Sequence, residues 1–149
     1  MTSAVQNPPA GAPRILPMLT YADAPAAIEF LCRAFGFELR FRLDMPDGRV
    51  GHAELGLADG AIALASEFPG FGVSPLKLPG HASQLRCYVD DVDAHYERAR
   101  REGATIAAEP ADQFYGDRIY RALDPEGHRW IFATHVRDVP PEEMVPPTE

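Results

Sequence analysis

Apolar and polar positions along this chain follow two periods, and the same order of periods occurs twice. Ile15 to Tyr21 is mostly apolar and β-rich, which predicts a strand. Ile28, Leu31 and Phe35 then recur at helical spacing and form one apolar stripe. Asp23 stands where its carboxylate can accept from the free N–H groups of a first helical turn. Pro25 falls where a missing N–H costs nothing, and Gly36 supplies a left-handed stop. Three strands are predicted to follow: Glu38 to Asp44, Val50 to Leu57 and Ala61 to Ser66. They are joined by the turns Pro46-Asp47-Gly48 and Asp59-Gly60.

The second round begins with Leu85, Cys87 and Val89 on one strand face. Asp91 caps a helix whose stripe is Val92, Tyr96 and Ala99, and Gly103 ends it. Strands are predicted at Thr105 to Glu109, Arg118 to Leu123 and Arg129 to Thr134, with a turn at Pro125-Glu126-Gly127. Asp91 follows Asp23 by 68 residues and Gly127 follows Gly60 by 67, so one offset spans a half-chain. The expected fold is α+β, two tandem βαβββ modules. Residues 1–13 read as a flexible Pro/Ala/Gly-rich lead, 14–66 as the first module and 67–83 as a Pro- and Gly-rich linker. Residues 84–135 read as the second module. Residues 136–149 read as a Pro-rich tail that cannot continue a central strand and either docks on a partner subunit or stays loose. Two half-sheets, each backed by one helix, are expected to enclose a ligand cleft between their other faces.

Composition narrows the function classes. At 46% hydrophobic and 24% charged residues the chain is an ordinary globular one, and at 149 residues it needs no staples to hold a core. A net charge of −8 argues against a nucleic-acid partner, which calls for a dense basic face. No apolar run approaches the ~18 residues of a membrane span, and the first residues lack the pattern of a secretory signal, so a cytoplasmic protein without a membrane partner is expected. Cys32 and Cys87 match no metal or redox spacing and read as buried free thiols.

Strand alternation selects the candidate chemistry. If Ala53, Leu55 and Leu57 face a helix, His52 and Glu54 face the cleft. They read as a catalytic general base with a helper carboxylate, as two weak metal donors, or as a hydrogen-bonded pair on an open sheet. The same count places Gln84, Arg86 and Tyr88 on the cleft side, with Arg129 and Ile131, and makes Arg121 the pseudo-symmetric partner of Glu54. Arg86, Arg121 and Arg129 either gather around an anion or pair with the excess acids of the chain. Gln113, Phe114, Tyr115, Asp117 and Arg118 mix aromatic faces with donors and acceptors, as a ligand lid does; the alternative is a loop pinned by its own Asp–Arg pair. His81 lies in the linker, from which it could reach the cleft mouth, though no sequence signal places it there. His128 and His135 read as structural or exposed, and His95 as solvated. Tyr21, Phe30, Phe35, Trp130 and Phe132 read as core.

Six segments, in order, carry a resemblance: Met45-Pro46-Asp47-Gly48-Arg49, His52-Ala53-Glu54-Leu55, residues 111–118 (Ala-Asp-Gln-Phe-Tyr-Gly-Asp-Arg), residues 124–130 (Asp-Pro-Glu-Gly-His-Arg-Trp), Ala133-Thr134-His135 and Pro141-Glu142-Glu143-Met144. With the βαβββ order they make the chain resemble the vicinal oxygen chelate superfamily (glyoxalase I, bleomycin-resistance proteins, extradiol dioxygenases), and within it the PhnB-like branch. The resemblance implies paired modules, often in a homodimer, around a small-molecule site. In metal-using members a divalent ion is held by His, Gln or Glu from four strands. Here those positions fall at Leu16, Gln84, Ile131 and Leu64 or a neighbour. Leucine and isoleucine offer a cation no lone pair. The expectation is therefore no metal or other cofactor, and binding or modest transformation of a small organic, possibly anionic, molecule. The alternatives are a divalent-metal lyase or dioxygenase using His52, Glu54 and Gln84, and an interaction protein dimerised by its Pro-rich tail.

Overall fold

The computed structural model describes residues 4–148; the first three residues of the expected lead and the last of the tail lie outside the described residues. Along the chain run β1 (Met18–Tyr21), α1 (Ala24–Phe35), β2 (Glu38–Asp44), β3 (Val50–Leu57), β4 (Gly60–Ser66), β5 (Leu85–Tyr88), α2 (Val92–Arg101), β6 (Thr105–Asp112), β7 (Asp117–Leu123) and β8 (Arg129–His135). The strands form two mixed four-stranded sheets of like topology, β1-β4-β3-β2 and β5-β8-β7-β6, which is the α+β arrangement of two βαβββ modules. The chain gathers into two compact units. Arg33–Phe35, the end of α1, belong with the unit that starts at Pro75, and the residues before them and up to Ser74 form the other. Among the described residues no helix is long and apolar enough to cross a membrane.

In the first unit Asp23 accepts the Ala26 N–H at 3.1 Å, so one free donor of the first turn of α1 is satisfied, and Gly36 closes the helix at φ 80°. β1 pairs in parallel with β4, and β3 lies antiparallel between β4 and β2. Tyr21, Leu31, Val50, Ala53, Leu55 and Leu64 are fully buried. The β3–β4 connection departs from expectation in one detail. Leu57 pairs with Gly60, so the loop is only Ala58-Asp59, and Ala58 rather than Gly60 takes the positive φ of 51°. A two-residue hairpin loop needs that twist at its first position.

In the second unit Asp91 caps α2 through Ala94 at 3.0 Å. β5 runs parallel to β8, and β7 lies antiparallel between β8 and β6. β6 extends three residues past the expected Glu109, through Pro110 to Asp112. It is the edge strand, and its register shifts between Ala108 and Ala111, so Pro110 does not interrupt a central ladder. Trp130, Phe132 and Tyr120 are buried on the face toward α2, where Phe35 packs at 4.7 Å from the Phe132 ring and 5.5 Å from Trp130. Trp130 donates its indole N–H to Asp124 at 3.1 Å. Cys32 and Cys87 form no disulfide and are half-buried, and burial pushes the Cys87 thiol up to about 12.

His95 corrects the expectation of a solvated side chain. It lies between the buried Val92 and Ala99 of the α2 stripe, and that placement turns its ring inward. Nδ1 lies 2.5 Å from the Tyr120 hydroxyl and Nε2 2.8 Å from the Phe35 carbonyl oxygen. The carbonyl can only accept, so Nε2 carries the proton and Nδ1 accepts from Tyr120. Burial lowers the His95 pKa below its ordinary value. A depressed histidine contributes stability that is complete above the ordinary value and is lost as pH falls through it. We expect His95→Gln to cost about 1–2 kcal/mol at neutral pH. The gap to the parent should narrow in urea unfolding curves as pH falls from about 7 to about 5; a gap that stays constant would contradict this role.

Candidate functional site

The face of the second sheet turned away from α2 carries most of the chemistry. Strand register places Arg86 beside Ile131 and Ile131 beside Arg121. One row along, Tyr88, Ala133 and Ile119 adjoin, and at the end His135 pairs with Asp117. Ile119, Ile131 and Ala133 form a buried apolar floor. Arg129 shares this face, two residues from Ile131 on β8.

Asp117 opens β7 with its side chain only 5% exposed. A carboxylate this deep must be compensated, and three side chains bond it. Arg86 donates to Oδ2 at 3.0 Å and Tyr88 donates its hydroxyl to the same oxygen at 2.8 Å. His135 Nδ1 sits 2.8 Å from Oδ1, while its Nε2 reaches Asp138 at 2.7 Å. Arg86 also donates to the Tyr115 hydroxyl at 3.0 Å. Burial pushes the Asp117 carboxyl up, but the His135 and Tyr88 hydrogen bonds and the Arg86 charge together bring it below the ordinary carboxylate range. The same contacts act in return. Hydrogen bonds to Asp138 and then Asp117 raise the His135 pKa, and the bond to Asp117 raises that of Tyr88.

The loop before β7 is fixed to the start of the tail. Gly116 takes φ 107°, and its carbonyl accepts the N–H groups of Val136 and Arg137 at 3.0 and 3.1 Å. A Cβ on Gly116 would fall 2.2 Å from the Arg137 carbonyl oxygen, so both backbone conformation and space require glycine. Tyr115 is thereby presented to Arg86, whose guanidinium also lies 5.4 Å from the Tyr115 ring centre.

The structure does not bring all the expected residues together. Arg121 and Arg129 are exposed on the face of Arg86, and among the described residues neither has an ion-pair partner. Arg129 and Gln84 line a cavity of about 220 Å³ with residues 81–83, His81 among them. Gln113 donates to the Ala111 carbonyl at 3.2 Å instead of meeting Arg86 or Asp117. Arg118 turns toward the helix side, paired with Asp93 of α2 at 3.0 Å and with Asp112 at 3.2 Å. Asp117 thus pairs with Arg86 from β5 and not with its neighbour Arg118. In the first unit His52 and Glu54 meet each other at 3.2 Å, with the Phe41 ring 6.1 Å from His52. Sequence reasoning missed the part played by His135. Its signal was parity, because 129, 131, 133 and 135 alternate onto one face.

The superfamily's metal positions can be tested on these residues. Leu16 is half-buried and Ile131 is buried. Register sets Ala63, not Leu64, opposite Glu54. Only Gln84 offers a lone pair, and a divalent ion needs several. Among the described residues no three His, Cys, Asp or Glu side chains come together to hold a metal. The donor set does not fit the ion.

Two like sheets from tandem βαβββ modules, one bearing a polar cluster over an apolar floor, define the class. The model of the glyoxalase/bleomycin resistance protein/dioxygenase superfamily matches residues 14–132, and the chain belongs to that superfamily. It is 35% identical over 136 residues to the uncharacterised protein Mb0911c of Mycobacterium bovis, covering 89% of this chain and 90% of that one. Among solved structures it is similar to TioX from Micromonospora sp. ML1, at 32% identity and TM-score 0.69, over 84% of this chain and all of that one. It shares its fold with a glyoxalase/bleomycin resistance protein/dioxygenase from Nocardioides, at 22% identity and TM-score 0.64, over 87% and 88% of the two chains.

Removing the charge of Asp117 tests the cluster without removing its shape. Asp117→Asn leaves Arg86 without its counter-ion, and about 2–3 kcal/mol of stability should be lost at neutral pH, read by urea unfolding. A loss under about 0.5 kcal/mol, the scale of an ordinary surface change, would show that the buried carboxylate is not what holds the face together.

Proposed function

We propose that this protein binds a small organic anion on the face formed by β5, β8 and β7, without a metal ion. The observation that carries the reading is the set of three arginines around Ile131. Arg86 is held by Asp117, while Arg121 and Arg129 have no ion-pair partner among the described residues. This occurs in a chain with 22 acidic residues against 14 basic ones, where free guanidinium groups on one face stand out. Guanidinium forks match carboxylate and phosphate oxygens in pairs, and the side chains between these arginines, Ile119, Ile131 and Ala133, are apolar. Ile131 at a position where metal-using members place a donor supports a metal-free mode. The protein would sequester or modestly transform its ligand. Within the superfamily we place it in the PhnB-like branch, on the six sequence segments described above.

The experiment is a thermal-shift screen of aromatic and aliphatic carboxylates and phosphates in the presence of chelator. At least one should raise the melting temperature, as binding to the folded state requires. Arg121→Gln and Arg129→Gln should each weaken it about tenfold or more. A broad screen without a hit, or hits indifferent to both substitutions, would remove the reading.

We also propose that the working form is a homodimer. Phe41 and Leu43 on β2 are 49% and 52% exposed and lie opposite Glu54 and His52, an apolar pair on an edge strand that a second copy would cover. Light scattering coupled to gel filtration should give a dimer for the parent and a monomer for Phe41→Glu. A parent monomer would overturn the proposal.

A further inference from the structure

A second cavity lies wholly within the first unit. Residues 9–13 line it with Leu16, Arg40, Glu54 and Ala61, and it encloses about 280 Å³. The lead, expected to be flexible, here walls a pocket against the sheet. Two of the lining groups are charged and of opposite sign.

Arg40 is aimed there by the fold. The register of β2 against β3 shifts between Leu39 and Phe41: Leu39 lies opposite Leu55 and Phe41 opposite Glu54, so Arg40 is the extra residue of a bulge. Bulges re-aim the side chain they carry. The Arg40 guanidinium lies flat over Gly56, where a Cβ would come within 1.9 Å of Cζ, and Nη2 donates to the Ala58 carbonyl at 2.9 Å. Among the described residues no carboxylate pairs with Arg40. Glu54, two residues from Gly56 on the same strand face, bonds only His52 among the described residues, at 3.2 Å through Oε1. A cation and an anion thus face one cavity without pairing with each other. The remaining wall is proline, glycine, alanine and Leu16.

We propose that this cavity is a second ligand site, for a small zwitterion of amino-acid type. Its carboxylate meets the free edge of the Arg40 guanidinium, its ammonium group meets Glu54, and its side chain lies along the prolines and Leu16. The cavity is smaller than the ~300–1,000 Å³ that drug-sized ligands occupy, which suits a single amino acid. Gly56 is part of the site although it touches no ligand, because any side chain there would lift the guanidinium away.

The test uses the full-length chain and isothermal titration with each of the common free amino acids. At least one is expected to bind at ~1 mM or tighter. Its amide, which lacks the carboxylate, and its deaminated acid, which lacks the ammonium group, should each bind about tenfold more weakly or worse. Arg40→Gln, Glu54→Gln and Gly56→Ala should weaken it similarly, with melting temperatures showing that the variants stay folded. Arg129→Gln, on the second sheet, should leave it unchanged, which separates this site from the anion site proposed above. The proposal is overturned if no amino acid binds. Binding indifferent to Arg40→Gln and Gly56→Ala, or binding lost with Arg129→Gln, would overturn it equally.

Discussion

A carboxylate removed from water has to be compensated where it stands, and Asp117 sets that condition for the second module. Its three partners come from two separate stretches of chain, Arg86 and Tyr88 on β5 and His135 at the end of β8, and Arg86 carries the contact on to Tyr115 in the loop before β7. None of the three is adjacent to it in sequence. Satisfying one buried charge therefore fixes the edge strand, the loop and the start of the tail relative to β7 and β8. The energetic gain of such a cluster is modest, since desolvation cancels much of the attraction. Its value is positional, because removing one partner leaves the others uncompensated. Arg86 is a spoken-for cation in consequence, whereas Arg121 and Arg129 on the same face have no ion-pair partner among the described residues.

The two sheets share one topology and differ in what the common face carries. Where the second has arginine at Arg121, the first has Glu54, and where the second has buried Ile131, the first has Ala63. The fold keeps the backbone and exchanges the side chains. This is why membership in a large superfamily does not by itself name an activity. A residue set that offers a divalent ion one neutral amide oxygen departs from the superfamily's metal chemistry. What remains is shape, apolar floor and charge, which are the requirements of a binding site.

Much of the fold was legible in the sequence because its signals are local. Asp23 and Asp91 cap their helices as their positions predict, and β2 and β3 have the bounds that alternation gives them. What was not legible depends on pairing between distant strands. His95 turns inward because Tyr120 and the Phe35 carbonyl await it, and neither is near in sequence. Asp117 pairs with Arg86, 31 residues away, in preference to Arg118 beside it, because adjacent strand residues point to opposite faces. Arg40 escaped notice because a bulge, invisible to a period-two count, changes its direction. Gln113 and Arg118 are expected on a ligand lid from the mixed chemistry of their loop, and strand parity, which turns Arg118 to the face opposite Asp117, separates Arg118 from the cluster.

In the proposed binding mode the second sheet holds an organic anion with arginine side chains and without a metal ion. The most direct measurement is the affinity of the tightest carboxylate or phosphate from a screen, determined by isothermal titration in excess chelator and again with manganese, nickel or zinc added. One dissociation constant is expected under all these conditions, with no metal bound to the purified protein. Binding that appears only when a metal is present in near-equal amount would contradict it, and would mean that a divalent ion finds ligands on this chain beyond Gln84.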